Sequence, residues 1–138
     1  MPKKRIDEME PTPGLVAWHQ ILEGITAHRS FIEGVAALWI GEPEYPPIAA
    51  ALKKAYREIY HIVDPGLMTY TTHAEHDAEH SMNEEAIISK YVAADPTLLP
   101  KIRRAAREAY SAYIFSFDGY WQAATGRREF WSGLRPYV

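Results

Sequence analysis

The residues best suited to chemistry lie in one run, Thr72-His73-Ala74-Glu75-His76-Asp77-Ala78-Glu79-His80-Ser81. Read as a helix at ~100° per residue from His73, Asp77 falls at about +40°, His80 at about −20° and Glu84 at about +20°, with Tyr70, Ile87, Ile88 and Tyr91 within about 60° of that line. Imidazoles and carboxylates therefore share the apolar stripe. Burying such groups unpaired is costly, so something must compensate. A divalent metal does so, because His and Asp one turn apart offer converging borderline and hard donors. A metal-free network of His, Asp and Tyr does so too, and the residue pattern leaves both open. Glu75 and Glu79 point away, at about 200° and about 240°, and read as a solvated face, while His76, at about −60°, lies on the edge of the stripe. His19 and Glu23 read as a surface i, i+4 pair. His28 shares a stripe with Glu42, but fourteen helical residues separate them by ~21 Å, too far for one mononuclear site.

The chain that must position these residues has 138 positions, 15 Lys+Arg against 18 Asp+Glu, six His, ten Pro and no Cys. This is the size of one domain with its own core. A net charge of −3, with Lys and Arg spread along the chain, gives no general grip on nucleic acid. The absence of Cys removes disulfides, zinc ribbons, Fe–S sites and thiol nucleophiles, so any metal is held by His and carboxylate. The longest apolar stretch, Val35 to Ile40, is far below the roughly 20 residues of a membrane helix, and no signal-peptide core follows Lys3-Lys4-Arg5. These features predict a cytoplasmic protein.

Proline and glycine divide the chain into stretches with helical spacing and no strand-like alternation, which predicts an all-α bundle of about four main helices. Residues 1–12 read as a mobile leader with a native start at Met1-Pro2-Lys3-Lys4, and 13–126 as the helical domain. The tail, 127–138, carries Phe130, Trp131 and Tyr137 and is expected to dock on the domain or a neighbour. The first helix is expected from Thr12-Pro13 to about Gly41, placing His28, Phe31, Val35, Leu38, Trp39 and Glu42 on one face. Pro43 pushes Glu42 out of α geometry. A second helix, 47–61, turns Ile48, Leu52, Ala55, Tyr56 and Ile59 inward; after Asp64-Pro65-Gly66, a third spans 67–93 and a fourth 97–125. Trp18, Trp39 and Trp121 read as core.

His73-x-x-x-Asp77-x-x-His80, preceded by Glu42-Pro-Glu-Tyr-Pro46 and Gly66-Leu67-Met-Thr-Tyr70, resembles the second half of the heme-oxygenase-like helical proteins, the group of the diiron oxidases, PqqC and TenA. Phe115-Ser-Phe-Asp118-Gly-Tyr120-Trp121 looks like that family's closing helix, so the likeness spans about residues 14–125. Full-length members carry a further Glu and His in a first half that has no counterpart in the 41 residues before Glu42. The resemblance thus implies half of the fold, completed by a homodimer or a partner chain. The TenA-type cysteine is absent.

The resemblance implies Glu42, His73, Asp77 and His80 as ligands of iron, two per site, with manganese also compatible. It also implies a cavity lined by Tyr70, Tyr91, Trp39 and Phe117, in which dioxygen and a small organic substrate react. Tyr70 and Tyr91 are the candidates to donate an electron or a hydrogen bond. Two other readings stand beside this oxidase or oxygenase: a non-catalytic accessory subunit that binds a partner through its uncovered face, and a cofactor-free oxidase resembling PqqC.

Overall fold

In the computed structural model, which describes residues 10–125, all regular structure is helical, so the all-α bundle expected from the sequence is what the chain forms. Thr12 starts helix α1 (Pro13–His28): its Oγ1 accepts from the Leu15 amide at 3.3 Å, and Pro13 fills the first helical position, where no N–H is needed. The continuous helix expected as far as Gly41 does not form. Arg29 is extended and the chain restarts as α2 (Phe31–Trp39). Ser30 and Glu33 are the cause, since Glu33 Oε2 accepts from the Ser30 amide at 3.3 Å and its hydroxyl at 2.6 Å, a capping box that marks a helix start. The face drawn across the break is lost with it, and His28, Phe31 and Leu38 are exposed while Val35 is buried.

Helix α2 gives way to turns over residues 40–44, and α3 (Tyr45–Glu58) follows, with Pro46 and Pro47 tolerated in its first turn. Because α3 stops at Glu58, Ile59 is 68% exposed instead of turned into the core. Helix α4 (Met68–Ala94) comes next. A 3₁₀ turn (Pro96–Leu98), capped by Asp95 through the Thr97 amide at 2.9 Å, leads into α5 (Leu99–Thr125). Helices α3, α4 and α5 thus begin within a few residues of the sequence-based expectations.

Small residues set the packing. Ala105 and Ala109 of α5 bury against Ile25 and Ala37, while Ile102 and Ala106 bury against Ile32, Val35 and Ala36. Ile87, Ile88 and Val92 anchor the second half of α4 on this core. Helix α3 packs on α4 as a hairpin, with Leu67 buried at the turn and the Tyr56 and Tyr70 rings 5.2 Å apart. Helices α1 and α5 approach closely enough that a Cβ on Gly14 would collide with the Phe115 carbonyl. Trp18 and Trp39 are partly buried, whereas Trp121, read as core, is exposed.

The tail over 127–138 and most of the leader lie outside the described residues. Among the described residues no helix is long and apolar enough to cross a membrane.

Gly14→Ala is expected to lower the unfolding free energy by about 1–3 kcal/mol, the usual cost of overfilling a packed contact. Gly24→Ala, where an added Cβ meets nothing within 4 Å, is expected to leave it unchanged or slightly raised. Urea denaturation of the two variants checks both.

Candidate metal centre

Helix α4 buries only two of its side chains, and both are polar, Asp77 and Ser81. Asp77, 3% exposed, has both carboxylate oxygens 2.9 Å from His73 Nδ1. One helical turn brings them together, as the His-x-x-x-Asp spacing requires. A carboxylate accepts, so Nδ1 carries the hydrogen, and in the neutral imidazole this leaves the lone pair on His73 Nε2. Tyr45, at the start of α3, sets its ring edge-on to His73, with centroids 4.9 Å apart and planes at 85°. The imidazole is held on one side by Asp77 and on another by Tyr45, while 43% of its side chain remains open.

Glu42 reaches the same helix from another element. The break that Pro43 imposes puts Glu42 in the 40–44 turn, where its amide donates to the Trp39 carbonyl at 3.1 Å. From there Glu42 Oε1 lies 3.9 Å from His80 Nδ1. His80 is 56% exposed along its side chain and its ring stacks on that of His76, centroids 6.5 Å apart, which places His76 on the outer edge.

Glu84, one turn beyond His80, is the residue that the sequence reading placed on the stripe without giving it a role. Burial, followed by the neighbouring Glu42 and Asp77 carboxylates, pushes its carboxyl up to about 7. Glu42 Oε2 and Glu84 Oε2 are both buried with no hydrogen-bond partner. Two buried carboxyls this close are stabilised by a shared proton, in keeping with the Glu42 hydrogen bond that helps to raise Glu84, or by a cation. The signal for Glu84 was its His80-x-x-x-Glu84 spacing, whereas Tyr45 and Tyr113 carried no local signal because they arrive from other helices.

The remaining candidates divide. Tyr70 lies beside Tyr56, and burial together with that phenol holds its hydroxyl up at about 12, so it stays protonated. Tyr113 is likewise pushed up to about 12, chiefly by burial, with Tyr45, Glu44, Tyr110 and Asp77 adding to the shift. Phe117 packs edge-on to Tyr113 at 5.0 Å, and Trp39 Nε1 is buried without a partner. Tyr91 is elsewhere: it packs on Phe31 at 6.1 Å, fourteen residues and ~21 Å of helix beyond Asp77. His19 pairs with Glu23 at 3.9 Å on the exposed face of α1, and His28 is exposed at the end of that helix.

A family model described as iron-containing redox enzyme matches residues 1–114, a span that includes Glu42 and the whole His73–Glu84 run. The chain belongs to that family, within the heme-oxygenase-like superfamily. No curated protein and no solved structure matches it. The donor set fits iron chemically, since imidazole and carboxylate are ligands that iron accepts and two buried carboxylate oxygens lack a partner. Geometrically the donors stand in pairs, His73 with Asp77 and His80 with Glu42. Among the described residues no three His, Asp or Glu side chains converge enough to hold a metal ion as they stand.

In the metal-free protein, Glu84 titrates near 7 when folded and near its ordinary 4.5 when unfolded. The folded chain therefore holds the extra proton between these values, and stability must fall as pH rises from about 4.5 to about 7. Thermal unfolding of chelator-treated protein is expected to show this fall, and Glu84→Gln to flatten it.

Proposed function

We propose that the chain is a non-haem iron oxidase or oxygenase, in which Glu42, His73, Asp77 and His80 hold a pair of irons and Glu84 adds a carboxylate. The observation that supports it most is the burial of Glu42 Oε2 and Glu84 Oε2 without partners beside two His–carboxylate pairs, in a member of an iron-containing redox family. Bound iron would supply the reduction of dioxygen, with a small organic substrate as the electron source; manganese suits the same donors.

The chain's own residues do the rest. Asp77 and Tyr45 fix the His73 ring and leave Nε2 as its donor atom. Tyr70, protonated because of its burial and its Tyr56 neighbour, offers a hydrogen bond or an electron beside the α3–α4 hairpin. Tyr113, near enough to Asp77 and Tyr45 for their charge to raise its hydroxyl, and Phe117 packed edge-on to it add apolar surface on that side.

The open flank of His73 and His80 supports a further part of this reading, that a second copy of the chain or a partner chain covers the face and supplies the donors the pairs lack. Exposed Met68, Met82, Tyr120 and Trp121 give such a neighbour apolar surface to bury. The same reading takes the protein as cytoplasmic.

Purification under anaerobic conditions with Fe(II), followed by elemental analysis, tests the metal assignment. Stoichiometric iron is expected in the wild type, with loss in both His73→Ala and Asp77→Ala; iron no higher than background in the wild type would leave the accessory-subunit and cofactor-free readings. Equilibrium sedimentation tests the second copy, and a monomer at micromolar concentration would overturn that part.

A further inference from the structure

A concentration of unpaired positive charge lies away from the candidate metal centre, on the first turns of α5. Ile102, Ala105, Ala106 and Ala109 face the core, so Arg103, Arg104 and Arg107 are turned outward, and all three are exposed. They line a surface concavity of about 470 Å³ with Leu99, Pro100 and Glu108. Glu108 does not neutralise them, because its Oε2 accepts from Arg29 at 2.6 Å. Among the described residues no other carboxylate pairs with Arg103, Arg104 or Arg107.

The arrangement runs against the chain's overall charge. A protein of net charge −3 places Lys101, Arg103, Arg104 and Arg107 within two turns of one helix. Arg103 and Arg107 are at i, i+4 and Arg104 and Arg107 at i, i+3, spacings at which like charges repel and weaken a helix. An anion between the guanidinium groups turns that repulsion into attraction. Arginine also narrows the anion: its planar fork matches phosphate and carboxylate oxygens in pairs. The concavity extends past the guanidinium groups to Leu99 and Pro100, which add an apolar edge.

We propose that Arg103, Arg104 and Arg107 form a binding site for a diphosphate-bearing small molecule, separate from the candidate metal centre. Adjacent phosphates span the guanidinium groups on neighbouring turns, and the organic part lies against Leu99 and Pro100. The site does not depend on the iron assignment, since none of its residues belongs to that centre.

Inorganic pyrophosphate is the probe, titrated into metal-free protein so that chelation of iron does not intervene. Calorimetry at low ionic strength is expected to show saturable 1:1 binding that weakens at least tenfold in Arg103→Gln/Arg107→Gln and is unchanged in Lys54→Gln, a charge on another helix. Amide chemical shifts of the wild-type protein provide a reading that needs no variant, with changes expected around residues 99–108. Absence of saturation, equal weakening in Lys54→Gln, or shifts centred elsewhere would overturn the proposal. Binding by poly-glutamate with greater affinity than pyrophosphate would also overturn it, in favour of an acidic protein partner.

Discussion

The contact on which the candidate centre depends is the one between Asp77 and His73. A carboxylate buried on a helix costs several kcal/mol unless a charged or hydrogen-bonding group meets it, and His73 Nδ1, 2.9 Å from both oxygens, is that group. Much else follows from keeping this pair in place. Tyr45 must reach the imidazole, so α3 has to fold back along α4, and Leu67 closes the turn that lets it do so. The remainder of α4 is secured differently, through Ile87, Ile88 and Val92 in the core shared by α2 and α5. One helix therefore has a polar half built for a site and an apolar half built for anchoring.

Glu42 shows how a local defect becomes useful. Proline at 43 prevents α2 from continuing, and the resulting turn lets the Glu42 side chain approach α4 from the side, toward His80 and Glu84. In a longer helix Glu42 would have stayed on the α2 surface at the angle that helical spacing dictates. The approach brings like charges together, which is destabilising in the metal-free chain and favourable once a cation or proton lies between them. Like charges held close in a polar cluster are characteristic of sites where binding offsets the cost.

The scaffold around the site is built from small residues. Alanines on α5 allow α1 and α2 to approach closely, and Gly14 permits contact with the Phe115 backbone where no larger residue fits. This leaves the outer face of α5 free to carry arginines, and leaves the long side chains of the α3–α4 hairpin, Ile59, Tyr60, Val63 and Met68, open to solvent. The bundle thus has a tight body and a hairpin that is less covered.

By itself the sequence determined the helical class, the starts of α1, α4 and α5, and the run of His73, Asp77, His80 and Glu84 on one stripe, because caps, prolines and helical spacing act over a few residues. It also carried the family likeness, since the His–Asp–His spacing and the upstream Glu are readable in one dimension. Tertiary structure decided the division at Arg29, where the Ser30–Glu33 capping box outweighed an apolar pattern that reads through it. It decided that Tyr45 packs on His73, that Tyr91 is ~21 Å of helix away from Asp77, and that Glu42 meets Glu84. Those outcomes depend on the direction in which separate helices cross, and spacing within one helix contains no information about that direction.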